Sequence, residues 1–218
     1  MRMLVVGTLT GAIEPAVTRL KDAGHTVARW HDSGAGSFPC LGLSEARACP
    51  LEGAPVDVAV TVRNRDWPRP SPFEDGAICA LRRRIPLVVA GITALQPFDR
   101  WSSRTLDDGS DLVAACEETA AAPLPGHSEV TRQAARQVLG ATSCDADVEG
   151  IVWRRQGALR AEMTLPAGCA DLMSKVAARV TGALRQFDGF ATAIDVAVAQ
   201  APTKPESSEP LEDEGPRP

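Results

Sequence analysis

Long apolar runs and two common enzyme motifs are missing from this chain of 218 residues. The longest apolar run, residues 85–92, is far shorter than the roughly 18 residues that a membrane-spanning helix needs. There is no G-x-S-x-G elbow for a serine hydrolase and no G-x-x-x-x-G-K-[ST] loop for phosphoryl transfer. We therefore expect a cytoplasmic protein without a membrane span that belongs to neither enzyme class.

Closely spaced metal ligands are missing as well. The six cysteines form no C-x-x-C pair, and only three histidines are available to complete a site. Metal centres usually draw two ligands from one short loop, so no metal site is predicted. The cysteines are expected to be unpaired buried hydrophobes, which is their usual state in a reducing cytosol.

The composition is that of a folded, mildly acidic protein. Hydrophobic residues make up 44% of the chain and charged residues 23%, so a core can form. The formal net charge is −5, and most of it belongs to residues 201–218, which contain five acidic residues and only two basic ones, Lys204 and Arg217. This balance argues against nucleic acid as a partner. The Pro/Glu/Ser-rich segment 201–218 is predicted to be a disordered acidic tail.

Strands alternate with helices over the first part of the chain. Apolar runs at 3–6, 25–30, 56–62 and 85–91 are typical of strands, and helical patterns follow at 12–23, 73–84 and 128–139. A short helix is predicted at 94–101, and 111–116 fits either a fifth strand or a helix start. This alternation predicts an α/β domain at 1–142 with a doubly wound parallel sheet of the flavodoxin or Rossmann-like type.

A different pattern begins after residue 143. Antiparallel strands are predicted at 149–155 and 159–165, an amphipathic helix at 170–187 and a returning strand at 191–199. Together they predict a small β-β-α-β domain at 147–200. One helix covers only one face of a three-stranded sheet, so we expect the other face or an edge to meet a partner or the first domain.

Candidate ligand-binding residues follow the predicted strands, because open parallel sheets bind ligands beyond the carboxyl ends of their strands. Gly7, Thr8, Thr10 and Gly11 follow the first strand, where their backbone either holds an anion at a helix N-terminus or forms a plain tight turn. Asp32 follows the second strand at the offset of a ribose-binding acid. A solvated loop aspartate is the alternative.

The loop after the third strand is the most distinctive stretch of the chain. Its arginines suit phosphate or carboxylate, and its tryptophan suits stacking on a base, so Arg63, Arg65 and Trp67 are candidate ligand-binding residues. A solvated surface loop is the alternative. Glu74 opens the next helix, where a carboxylate stabilises the helix dipole, and at this edge of the sheet it is also a candidate nucleophile.

Residues 56–90 resemble the core of the nucleoside 2-deoxyribosyltransferase-like and related Rossmann-like nucleotide-binding families. The resemblance rests on Pro72-Phe73-Glu74-Asp75-Gly76-Ala77 at a helix start and on Arg84-Ile85-Pro86-Leu87-Val88-Val89 at the next strand. It implies an enzyme of N-glycosidic bonds, a deoxyribosyltransferase or a nucleotide hydrolase. Glu74 would be its nucleophile, and Asp32, Arg63 and Arg65 would hold the substrate. The tyrosine that commonly follows the family's glycine is absent, as is the usual family opening.

Residues 149–199 are similar to the small domain of the alkaline-shock-protein family, which acts by association without catalysis. The leading hypothesis is therefore a non-catalytic cytoplasmic protein. Its first domain would bind a nucleotide-like or other small anionic ligand, and its second would serve self-association or docking to a protein partner. The N-glycosidic-bond enzyme with Glu74 as nucleophile is the alternative hypothesis. The sequence identifies no particular cofactor.

Overall fold

Five parallel strands form the first sheet in the computed structural model, which describes residues 1–7, 13–31, 49–91, 94–107, 111–142, 144 and 148–202. The strands are β1 Arg2–Gly7, β2 Thr26–Arg29, β3 Val58–Arg63, β4 Leu87–Gly91 and β5 Arg104–Leu106. Their order in the sheet is β2-β1-β3-β4-β5. The predicted α/β fold with a parallel sheet is confirmed.

The central strands are buried because both faces of the sheet are covered. Met3 pairs with Val58 and Val5 with Val60 in register, and all four side chains are fully buried. A strand that packs against helices on both faces needs apolar residues at successive positions instead of alternating ones. This requirement explains why the continuous apolar runs in the sequence identified β1 and β3.

Three helices cover the two faces of this sheet: α1 Glu14–Asp22, α2 Asp75–Arg82 and α3 Leu112–Ala121. α1 and α3 pack into one core cluster with β1, β3 and β4, whereas α2 packs into a second cluster that includes Trp30 and Phe98. A single 3-10 turn, Pro72–Glu74, leads into α2. The sheet is therefore doubly wound.

In two segments, at 94–101 and 111–116, side-chain hydrogen bonds contribute to the local structure. Asp111 caps α3, because its side chain accepts from the backbone N–H groups of Val113 and Ala114 at 3.0 and 3.1 Å. The predicted helix at 94–101 is wrong, since that segment forms turns. The Gln96 side chain accepts from the N–H of Phe98 at 2.8 Å and satisfies there a backbone group that a helix would use.

A second unit of the fold consists of a three-stranded sheet and two helices. These are α4 Pro125–Leu139, β6 Glu149–Arg155, β7 Ala158–Leu165, α5 Met173–Phe187 and β8 Ile194–Gln200, in the strand order β6-β7-β8. The pair β6–β7 is antiparallel, as predicted, and the returning strand β8 pairs parallel to β7. α4 packs Ala134, Ala135 and Leu139 into the same core as this sheet. The domain limits at 142, 147 and 200 stay predictions, and residues 203–218 of the predicted tail lie outside the described residues.

A disulfide joins Cys144 to Cys169 within the second unit. The bond links the segment that follows α4 to the segment that precedes α5. The expectation that all cysteines are unpaired is wrong for this pair, because the fold brings together two residues that are 25 positions apart. Their spacing in the sequence gave no sign of it.

None of the described helices is long and apolar enough to cross a membrane.

The second unit attaches to the amino edge of the first sheet, where its strands begin. Asp57, just before β3, accepts from the backbone N–H of Gln156 at 2.9 Å, in the β6–β7 turn. Arg84, just before β4, donates from Nε to the Phe187 carbonyl at 2.8 Å, and its guanidinium lies 3.5 Å from the centre of the Phe187 ring. The carboxyl edge, where ligands of parallel sheets bind, lies at the opposite end of these strands.

Gly76 is required by the close approach of the Trp30 indole to α2. A Cβ at position 76 would lie 2.5 Å from Trp30 Cγ and Cδ2, and Trp30 is only 1% exposed. We expect Gly76→Ala to lower the free energy of unfolding by about 1–3 kcal/mol, the usual cost of overpacking a core. Urea unfolding followed by tryptophan fluorescence measures this loss.

Gly182→Ala in α5 is the matched control, because a Cβ there would meet nothing within 4 Å. Alanine replaces glycine favourably in a helix, so this variant should gain about 0.5–1 kcal/mol. Equal effects of the two substitutions would contradict the packing argument.

Candidate functional site

The carboxyl edge of the first sheet holds the predicted site residues that the structure describes. The strand order β2-β1-β3 places the switch point of the sheet between β1 and β3, where ligands of doubly wound sheets bind. Gly7 ends β1, Arg63 ends β3, and Arg65, Trp67 and Glu74 follow β3. The other predicted residues, Thr8, Thr10, Gly11 and Asp32, lie outside the described residues.

A buried ion pair is the centre of this edge. Arg63 Nη1 lies 3.1 Å from Glu74 Oε1, and neither side chain is exposed to solvent. Thr61 Oγ1, also buried, donates to the same carboxylate oxygen at 3.3 Å. Charges this far from water are stable only while both partners stay in place. The sequence identified both residues as site candidates, but it did not pair them.

The same pair holds the loop that connects β3 to α2. Arg63 Nη2 donates to the Trp67 carbonyl at 2.7 Å. The backbone N–H of Ser71 donates to Glu74 Oε2 at 2.7 Å, and the Ser71 side chain accepts from the backbone N–H of Glu74. This capping box closes the end of the loop. The buried Arg63–Glu74 pair therefore holds this loop in position.

Arg65 and Trp67 stand on the solvent side of this loop. The Arg65 guanidinium lies 5.3 Å from the centre of the Trp67 ring, within the range of a cation–π contact, and Trp67 is 37% exposed. The N–H of Leu95 donates to Asp66, which ties the loop to the segment after β4. A small cleft of about 340 Å³ lies beside it, lined by Pro68, Ala94, Leu95, Gln96 and Asp99.

Both carboxylate oxygens of Glu74 are used inside the protein. A nucleophile must come within roughly 3–3.5 Å of the carbon that it attacks. Glu74 reaches a sugar only if it leaves Arg63 and the Ser71 amide, with which it makes the contacts given above. Its role as a nucleophile stays a prediction, and that reaction would require the loop to open.

A second buried polar cluster lies in the other unit and was missed in the sequence. Asp188 Oδ2 accepts from His127 Nε2 at 2.9 Å and from Arg154 Nη2. These residues come from α4, β6 and the segment after α5, so they connect three elements of the unit. In the sequence, His127 was only one of three histidines available to complete a metal site, and no metal site was predicted. The sequence offered one signal for this cluster, which is the charged residue Arg154 at a core position of β6.

In the described part of the chain, neither the Cys116 thiol nor a group of metal ligands forms a site. Burial, with a smaller effect of the Glu117 carboxylate, raises the pKa of the Cys116 thiol to about 12, so this cysteine is a poor nucleophile at neutral pH. Within the described ranges, no three histidine, cysteine or acidic side chains are grouped so that they could hold a metal ion.

Comparisons with known proteins do not assign this chain to a family. No protein-family model and no curated protein matches it. A crystal structure of a variant of Aquifex aeolicus Era bound to GDP.AlF4- is similar over 93% of this chain and 94% of that chain, at 11% sequence identity and a TM-score of 0.31. A score this low does not establish a shared fold. The resemblances to the deoxyribosyltransferase-like and alkaline-shock families stay predictions.

The Asp188 cluster predicts how stability depends on pH. Burial acts to raise the pKa of Asp188, but hydrogen bonds from His127 and Arg154 and their charges outweigh it and hold the pKa below its ordinary value. A carboxyl with a lowered folded pKa contributes stability above its unfolded pKa of about 3.9 and loses it as pH falls through the folded value. At neutral pH, Asp188→Asn should cost about 3–5 kcal/mol, because it leaves Arg154 buried and unpaired.

Urea unfolding of wild type and Asp188→Asn at a series of pH values checks this expectation. The difference between the two proteins should narrow as pH falls from 5 towards 2. Asp195→Asn on exposed β8 is the control and should leave the wild-type profile unchanged. A difference that is constant with pH would contradict the assignment.

Proposed function

We propose that the chain is a non-catalytic protein that binds a nucleotide-like or other small anionic ligand at the carboxyl edge of its first sheet and associates through its second unit. The observation that carries the first part is the exposed Arg65–Trp67 pair on a loop fixed by the buried Arg63–Glu74 pair. A cation beside an aromatic face suits a ligand that has both an anionic group and a planar ring.

The position and rigidity of this loop support ligand binding. It follows β3, the strand next to β1 at the switch point of the sheet. A loop that is already ordered loses little conformational entropy when a ligand binds. Arg63 has one further unused donor, because its buried Nε has no hydrogen-bond partner in the part of the chain that the structure describes.

The reactive side chains are buried or bonded to other residues of the protein, which supports a non-catalytic role. Glu74 is engaged through both oxygens, and the Cys116 thiol is buried and protonated at neutral pH. The His127–Asp188 pair belongs to the second unit, and its Asp188 carboxylate is also shared with Arg154. Glu74, His127 and Asp188 therefore have structural partners, and Cys116 is held in its unreactive thiol form.

A thermal-shift screen of the full chain against nucleotides and dinucleotides tests ligand binding, because a ligand that binds only the folded state raises the melting temperature. We expect at least one anionic nucleotide to raise it. Arg65→Gln should weaken that ligand about tenfold, since a hydrogen bond to a charged group contributes about 1.5 kcal/mol or more. Arg185→Gln, on the exposed side of α5, is the control and should leave binding unchanged.

Release of free base from the same nucleotides and from nucleosides separates binding from catalysis. The proposal expects none from the wild-type protein. Base release that disappears in Glu74→Gln would overturn the non-catalytic role in favour of the N-glycosidic-bond enzyme. No melting shift with any nucleotide would overturn the ligand site.

The open edge of β8 supports self-association through the second unit. In the described part of the chain, β8 pairs with β7 alone. Hydrogen bonds of Ala193 and Ala201 point towards β7, so the alternate backbone groups, at Ile194, Val196 and Val198, point to the open edge. These three side chains are only half-buried against α5. Such an edge readily pairs with a further strand.

Light scattering of the full chain tests this association, with a dimer or larger species expected. Ala197→Lys places a charge at an exposed position of β8 and should shift the protein towards monomer. Ala178→Lys makes the same change on the exposed side of α5 and should not. A monomer at high concentration would contradict self-association.

A further inference from the structure

We infer that the groove between α4 and α5 is a docking site for an acidic peptide, and that its occupant is segment 203–218 of the same chain. The groove has a volume of about 360 Å³ and is lined by side chains of both helices. Arg84 of the first unit lines it as well, at the end where Phe187 lies. A segment that binds there contacts both units of the fold.

Each helix contributes one stripe of side chains to the groove. Gln133 and Gln137 on α4 are four positions apart, and Arg179, Ala183 and Phe187 on α5 follow the same spacing. Residues four apart lie on one side of a helix, so both stripes face the groove. Arg179 Nη2 and Nε donate to Gln137 Oε1 at 2.6 and 3.3 Å, which holds the guanidinium of Arg179 between the helices.

The groove has an excess of positive charge. Among the described residues, its lining contains two guanidinium groups, those of Arg84 and Arg179, and no carboxylate. Neither makes an ion pair in the described part of the chain, since each bonds to an uncharged oxygen. The sequence of α5 has no acidic residue, and Glu129, the one acid of α4, lies 2.7 Å from Arg132. Two guanidinium groups without a carboxylate partner favour an occupant that carries carboxylates.

The two cations are separated along α5. The Arg84 guanidinium lies 3.5 Å from the centre of the Phe187 ring, and Phe187 follows Arg179 by eight residues. Eight residues of a helix span about 12 Å. Both guanidinium groups are held in place by their hydrogen bonds, to the Phe187 carbonyl and to Gln137. A chain with acids at regular intervals is therefore a better match than a small anion with one charge.

Segment 203–218 contains such a pattern. Glu206, Glu209 and Glu212 recur at every third position, with Pro205 and Pro210 among them. Proline favours the polyproline conformation, in which three residues complete one turn and span about 9 Å. In that conformation, acids three positions apart lie on one side of the chain. Their separation is close to that of the two cations of the groove.

The segment is long enough to reach the groove. β8 packs against α5 and ends at Gln200, and Pro202 beyond it is exposed. Glu212 is ten residues beyond Pro202, a distance that an extended chain covers with about 33 Å. α5 has 15 residues and is therefore about 22 Å long. Because the acids belong to the same chain, their effective concentration at the groove is on the order of millimolar.

Carbodiimide cross-linking of the full chain tests the docking, because this reagent joins an amine to a carboxylate with which it is in contact. Arg179→Lys keeps the charge and places an amine in the groove. Arg19→Lys makes the same change at an exposed position of α1 and is the matched control. We expect mass spectrometry to find position 179 joined to a glutamate of segment 203–218, in a yield at least about tenfold above that from position 19, since the high effective concentration applies to the groove alone.

Salt and isotope labels complete the test, and circular dichroism confirms that both variants are folded. The link at position 179 should be lost in 1 M NaCl, where the Debye length is about 3 Å. In an equal mixture of labelled and unlabelled protein, the linked peptides should carry one label only. Peptides with mixed labels would place the segment of a second copy in the groove and overturn docking within one chain. Absence of a link at position 179, or equal yields at positions 179 and 19, would overturn the groove as the docking site.

Discussion

A guanidinium and a carboxylate that are both removed from water hold each other in place, because losing either partner leaves a buried charge. Arg63 and Glu74 impose this constraint at the end of the central strand β3. The pair fixes the Trp67 carbonyl through Arg63 and the Ser71 amide through Glu74. The pair thereby helps to hold the β3–α2 loop and the start of α2, together with the bond from the Leu95 amide to Asp66. The exposed side chains of the loop can then be presented to a ligand in a defined arrangement.

The two edges of the first sheet differ in what they contact. The amino edge joins the second unit through Asp57 and Arg84, which are satisfied by backbone groups of that unit. The carboxyl edge is where doubly wound sheets bind ligands, and it is there that we propose a ligand site. Because the junction lies at the far end of the strands, it leaves the predicted ligand edge uncovered and creates a separate cleft beside α3.

The parts of the fold that could be predicted are those that have a local pattern of apolar and polar residues in the sequence. The apolar runs of β1 and β3 and the alternation of β7 each followed from which faces are buried. The carboxyl-edge loop was found from topology, since the end of β3 had to lie there. The Arg63–Glu74 pairing, the Cys144–Cys169 bond and the Asp188 cluster are contacts between distant positions. No periodicity encodes them, because they depend on how the elements pack. At 94–101, the Gln96 side chain binds a backbone amide that the predicted helix would have used.

The coupling free energy between Arg63 and Glu74 is the most direct measurement of whether this ion pair organises the edge. Urea unfolding of Arg63→Met, Glu74→Leu and the double variant gives this energy as a double-mutant cycle. Each single variant should lose about 3–5 kcal/mol, because a buried charge stays behind. The double variant should lose much less than the sum, since two apolar side chains replace the pair. Losses that simply add would show that the two residues act independently and would contradict the central role given to this pair.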